Sequence, residues 1–218
     1  MARAPRPARR DSLNPDEHLR RADPVMAGLI DEYGGPLPLE PDSRGRPAEL
    51  YGALVRGIAG QQLSVKAARS IWNRLIERFD GETPTPEQIL ADDPEELRAA
   101  AGFSRAKVAY LRSLAEHVVS GELELHRMDE LSDEDVIAEL TAVKGIGDWT
   151  AHMFLMFTLH RPDVLAVGDL GVRNAAKRAY GLEKPPGPAD LTEMGEAWRP
   201  FRTRACLYLW RSLDNEPT

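Results

Sequence analysis

Residues 140–154, LTAVKGIGDWTAHMF, set two glycines one position apart between two apolar helical patterns. A helix that starts directly after such a turn leaves its first backbone N–H groups without intrahelical partners. Those groups and the positive end of the helix dipole favour an anionic oxygen, such as that of a phosphate. Gly145 and Gly147 admit unusual backbone angles and let an anion approach with no Cβ in the way. Lys144 adds positive charge at the turn, and Ile146 can turn inward to pin it. With Thr150 they form a candidate phosphate-binding set; the competing reading is an ordinary corner between two helices.

Two other segments carry chemistry. Residues 163–181, DVLAVGDLGVRNAAKRAYG, are an apolar extended run ending in a glycine and then Asp169, which opens a helix and by its type can cap it. Gln61-Gln62-Leu63-Ser64 forms a polar joint between two helical patterns. Metal chemistry finds less support. His117, His126, His152 and His160 have no carboxylate or cysteine partners at ligand spacing and are expected at the surface or as caps. Cys206 is the only cysteine, which excludes an internal disulfide, a four-cysteine zinc site and an iron–sulfur cluster.

The elements that must position these residues read as helical throughout, with no convincing alternating strand pattern. A first helix is expected from His18 to Tyr33, ending at Gly34-Gly35. Pro47 opens a second, with Leu50, Leu54 and Ile58 at helical spacing, and it closes near Gly57–Gly60. Ser64 caps a third, whose Val65, Ala68, Trp72, Leu75 and Phe79 share one face. Pro84 and Pro86 break the chain, and Pro94 starts the short PEELRAAAG helix. Ser104 begins another, with Val108, Leu111, Ala115 and Val118 inward, and Ser132-Asp133-Glu134-Asp135 starts a helix running to Leu140. Helices over 169–180, 189–198 and 201–214 follow the glycine turn. About ten short helices predict an all-α fold in two lobes, with no internal repeat.

The chain of 218 residues is 42% hydrophobic and 29% charged, enough to bury a core as one domain or two small lobes. Its net charge of −7 is concentrated: residues 81–140 hold 5 Lys/Arg against 15 Asp/Glu, while both flanking regions are slightly positive. Nucleic-acid affinity depends on local phosphate neutralisation, so the global charge argues only weakly against it. Residues 1–16 are expected as a disordered basic tail, either solvated or tracking a phosphate backbone. No apolar run reaches the ~20 residues of a membrane span and no signal-peptide core is present, so no membrane partner and a cytoplasmic location are expected.

The fuller pattern LxxVKGIGxWTA resembles a helix-hairpin-helix DNA-binding motif. Hairpin, loop and aspartate together resemble the helix-hairpin-helix base-excision DNA glycosylases. RGIAGQQLSVKAA (56–68) and EAWRPFRTRACLYLW (196–210) look like the alkylpurine branch, the 3-methyladenine DNA glycosylase II type. The resemblance spans roughly residues 20–212 in three ordered motifs. It departs from longer bacterial members, because too little chain precedes the helical part to supply their N-terminal β-domain.

The resemblance implies that residues 17–218 form the glycosylase domain, with residues 50–165 as one lobe inserted between terminal segments that make the other. Asp169 falls at the catalytic aspartate, where a carboxylate stabilises positive charge on the sugar or directs the attacking water. Bifunctional members carry a Schiff-base lysine where this chain has Trp149, so a monofunctional hydrolase without lyase activity is implied. Trp149 and Trp210 match the family's pocket tryptophans, against a reading as plain core aromatics. Met153 stands where longer members have a tyrosine. Gln62, with Leu63 beside it, matches the wedge that fills the gap left by a flipped base; the alternative is a plain turn. Relatives also bind a monovalent cation through hairpin carbonyls, here those of Thr141, Val143 and Ile146. No other cofactor is implied, and the expected partner is damaged double-stranded DNA bound by a monomer. The rival readings are a glycosylase for another damaged or deaminated base, or a catalytically silent DNA-binding module.

Overall fold

A computed structural model of the chain describes residues 14–36 and 50–214. Most of the expected basic tail and the helix start at Pro47 lie outside the described residues. Among those residues the chain forms twelve α-helices and two 3-10 turns, with no strand. The fold is all-α.

Capping side chains and prolines decide most boundaries. Helix α1 (Pro15–Ala22) starts within the stretch expected as tail, because the Asn14 side chain accepts the Asp16 N–H at 3.0 Å. The single helix expected over 18–33 is in fact two. Asp23 is extended (φ −149°) and caps α2 (Pro24–Tyr33) by accepting the Val25 N–H at 2.8 Å. Pro24 has no N–H to continue α1 but suits the first turn of a new helix. Gly34 ends α2 in the left-handed conformation.

The next helices are α3 (Leu50–Gly60) and α4 (Val65–Arg78), the latter capped by Ser64. Pro84 and Pro86 do not only break the chain. Thr85 and Gln88 form a capping box that starts an unexpected α5 (Pro86–Ala91). Then come α6 (Pro94–Ala101), α7 (Arg105–Ser120), α8 (Asp133–Ala142) and α9 (Asp148–Phe157). The chain closes with α10 (Leu170–Ala179), α11 (Pro188–Gly195), a 3-10 turn over Glu196–Trp198, and α12 (Arg202–Asp214). Val118, expected inward on α7, is only half-buried.

Helices from both chain ends pack together: α2 lies on α1 and α12, and α12 lies on α10. The middle helices pack among themselves, with α3 against α4, α7 and α9, and α8 against α9. A buried carboxylate ties the terminal group. Asp23 is 8% exposed; it accepts the Trp198 indole N–H at 2.8 Å and the Tyr180 hydroxyl as well as capping α2. Burial and this carboxylate push the Tyr180 hydroxyl pKa up. Asp23→Ala removes the cap and orphans two donors, so it is expected to cost about 3 kcal/mol or more, read as a lowered urea midpoint. Cys206 is wholly buried in the same group, and burial pushes its thiol up to about 12.

Candidate active site

Helices α8 and α9 meet at a tight turn. Val143 closes α8 by donating its N–H to Leu140 at 3.1 Å, and the Ile146 N–H donates to the Val143 carbonyl at 3.1 Å. Ile146 is turned inward, 4% exposed, and Lys144 stands in solvent. Gly147 caps α9 with no side-chain hydrogen bond, and among the described residues no side chain accepts from the first N–H groups of that helix. Such a terminus suits an anionic oxygen.

The two glycines have different jobs. Gly145 has φ +93°, and a Cβ there would lie 2.1 Å from the ring of Tyr110 on α7. Its missing side chain is filled by protein and is not the approach path for an anion. Gly147 has nothing within 4 Å of a Cβ, and it alone leaves the expected open approach. Thr150 also departs from expectation. The residue is 6% exposed and its hydroxyl accepts from Gln61 at 3.2 Å, so burial turns the side chain toward Gln61 and away from an approaching anion.

Asp169 caps α10 and also gathers two indoles. Its Oδ1 accepts the Val172 N–H at 2.7 Å and the Trp210 Nε1–H at 2.8 Å, while Oδ2 accepts the Trp149 Nε1–H at 2.6 Å. Three of roughly four lone-pair positions are therefore filled, leaving one on Oδ2 for a further donor. The carboxylate is held firmly yet keeps one open side. Gly171 permits this: a Cβ there would lie 2.9 Å from Oδ1 and 3.1 Å from the Trp210 indole. In the sequence Gly171 is marked only by the spacing Asp-Leu-Gly.

Beside this carboxylate lies a cleft of about 370 Å³ between α3, the start of α4 and α9. Trp149, Met153 and Phe157 line it at four-residue spacing on α9, facing Leu54, Leu63 and Arg69. Its volume falls in the range of small-molecule sites. Trp149 is 43% exposed, so one indole both donates to Asp169 and offers a free face to the cleft. Trp210, expected as a second wall, does not line the cleft. Its ring packs on Phe157 with centroids 5.9 Å apart, and its N–H holds Asp169. Phe157 takes the wall position instead, and the stripe 149, 153, 157 was its sequence signal.

Gln62 and Leu63 stand exposed on the α3–α4 loop, with Gln62 in the left-handed conformation (φ +59°). The hairpin carbonyls of Thr141, Val143 and Ile146 are neutral oxygen donors of the kind a hard monovalent ion takes. The Val143 carbonyl accepts the Ile146 N–H with one lone pair and keeps another. Among the described residues no three His, Cys, Asp or Glu side chains are placed to hold a metal. No helix among them is long and apolar enough to cross a membrane.

His152, expected at the surface or as a cap, is half-buried on α9 near Asp148, Asp133 and Arg202, and burial lowers its pKa, partly opposed by Asp148. Because the folded value lies below the unfolded one, the unfolded chain takes the proton first as pH falls. Stability is complete above the ordinary histidine pKa of about 6.5 and drops as pH passes down through the lowered folded value. His152→Gln is expected to flatten the change in urea midpoint between about pH 8 and 5.5.

A glycine hairpin with an uncapped helix start, followed by a loop and a held aspartate at a cleft, defines a helix-hairpin-helix protein with a carboxylate site. The HhH-GPD model, described as a superfamily of base excision DNA repair proteins, matches residues 55–200, and the chain belongs to that superfamily. It is 38% identical over 200 residues to the DNA-3-methyladenine glycosylase 1 of Schizosaccharomyces pombe, covering 89% of this chain and 87% of that protein. Among solved structures, an S. pombe 3-methyladenine DNA glycosylase in complex with abasic DNA superposes with a TM-score of 0.82 at 36% identity, covering 92% of this chain and 97% of that one. A DNA-3-methyladenine glycosidase from Bacillus halodurans gives 0.78 at 40% identity, covering 93% and 89%.

Proposed function

We propose that this protein is a monofunctional DNA-3-methyladenine glycosylase that flips alkylated purines out of duplex DNA and hydrolyses the N-glycosidic bond. The observation that carries this reading is Asp169, fixed by two indole N–H groups at the edge of an aromatic cleft. The hairpin grips a phosphate through the N–H groups at the head of α9 and through Lys144. The flipped base enters the cleft and stacks on Trp149, worth about 1–3 kcal/mol for an electron-poor ring. As the glycosidic bond breaks, its electron pair leaves with the base and positive charge develops on the sugar. Asp169 stabilises that charge, and its open lone pair orients the water that adds to the anomeric carbon. The water's proton departs and an abasic site remains.

The leaving group fits the cleft. A purine alkylated at N3 or N7 is already cationic and departs neutral, with no need of an acid. None of the residues lining the cleft is an aspartate or glutamate that could protonate a neutral base. The carbonyls of Thr141, Val143 and Ile146 would hold a monovalent cation between hairpin and phosphate. Action as a monomer belongs to the same reading. Incubating the protein with methylated DNA and identifying released bases by mass tests the reading: 3-methyladenine and 7-methylguanine are expected, and release of neither overturns it.

The absence of lyase activity rests on Trp149, whose indole cannot form a Schiff base. Borohydride treatment during turnover is expected to trap no protein–DNA adduct. Trp149→Lys is expected to stay without strand cleavage, because the substitution also removes the indole that donates to Asp169 and walls the cleft, so the pocket geometry changes with it. A trapped adduct in the unmodified protein overturns the monofunctional reading.

A further inference from the structure

The Gln61 side chain crosses between two parts of the site that the chain separates by more than eighty residues. Its Nε2 donates to the Gly145 carbonyl at 2.9 Å and to the Thr150 hydroxyl at 3.2 Å. A carbonyl only accepts, so the orientation of the Gln61 amide is fixed by its partner. The peptide between Gly145 and Ile146 is thereby held at both ends, its carbonyl by Gln61 and its N–H by the Val143 carbonyl. That peptide is the centre of the hairpin turn. Thr150, the second acceptor, follows Trp149 directly on α9.

The next residue along from Gln61 is the exposed tip. Gln62 takes a left-handed conformation that L side chains rarely adopt. The loop sustains it with the Gln61 N–H on the Ile58 carbonyl and the Leu63 N–H on the Gly60 carbonyl, both at 3.3 Å. One residue thus faces inward to the hairpin while its neighbours face outward. We propose that Gln61 is a positioning residue that fixes the wedge loop in register with the phosphate-binding turn. Gripping the backbone then sets Gln62 and Leu63 at the right height to enter the gap left by a flipped nucleotide. This inference rests on the functional reading above.

Two variants test it: Gln61→Leu, which keeps the bulk but loses the donor, and Gln61→Glu, whose carboxylate opposes the Gly145 carbonyl. The first measurement is binding alone, comparing an undamaged duplex with the same duplex carrying an abasic site, where the gap is already open. Both variants are expected to lose about tenfold in preference for the abasic duplex, or about 1.4 kcal/mol, while affinity for the undamaged duplex changes less than about twofold. The second compares single-turnover release of 7-methylguanine from duplex and from single-stranded DNA, where no stack has to be refilled. The duplex rate is expected to fall at least about tenfold more than the single-strand rate, or about 1.4 kcal/mol more. Equal losses on both members of either pair, or no loss, overturn the proposal. If the unmodified protein releases no base, the functional reading fails and the binding comparison still decides the tether.

Discussion

Asp169→Asn is expected to lower single-turnover base release by about 10²–10³-fold or more while leaving DNA affinity within about threefold of the parent. Asparagine serves as well as aspartate at a helix N-cap, so α10 should start as before and the fold should survive. What is lost is charge and one acceptor. The asparagine oxygen can keep the Val172 N–H and the Trp210 indole, but its amide nitrogen then faces the Trp149 indole donor. Trp149 is exposed enough to turn that N–H to water, so its place in the cleft should loosen as well. Release at the parent rate would remove Asp169 from the chemistry. Unchanged circular dichroism and melting temperature would show that the loss is chemical.

The second large effect separates the two hairpin glycines. Gly145→Ala forces a β-carbon into the Tyr110 ring and a left-handed backbone on alanine. Backbone strain of about 1–2 kcal/mol and overpacking of about 1–3 kcal/mol give a total of about 2–5 kcal/mol. The melting temperature should fall by roughly 5–20 °C. Gly147→Ala meets no atom within 4 Å and costs at most about 1 kcal/mol as a poorer cap. Its methyl group instead stands in the anion's approach, so DNA affinity should weaken by about tenfold with little change in melting. Thermal melts and salt-controlled binding on both variants check this. Reversed outcomes would mean that phosphate contacts Gly145 and that Gly147 is structural.

Much of the fold was legible because capping and breaking are local. Ser64, Ser104 and Ser132 cap the helices their positions predict, since a hydroxyl reaches an N–H three residues on whatever the rest of the chain does. The same logic, applied to Asp23-Pro24 and to Thr85 with Gln88, would have split the first helix and found α5. Apolar periodicity runs on through residues 18–33 and hides the break, because the caps act on the backbone and leave the apolar spacing unchanged. His152 was misplaced for another reason. Burial depends on what packs against α9 from elsewhere, and no local pattern carries that.

The site divides along the same line. A glycine turn with an uncapped helix behind it and an aspartate heading a helix were legible from residue type and neighbours a few positions apart; that Trp149 stands where bifunctional members carry lysine came from the family resemblance. Packing alone fixed that Trp149 and Trp210 both aim their N–H groups at Asp169, that Tyr110 fills the space above Gly145, and that Gln61 joins the α3–α4 loop to the hairpin. Those contacts bring together residues 20 to 84 positions apart. Hydrogen-bond direction and steric clearance across such distances arise when helices pack, because only then do separated side chains share one volume.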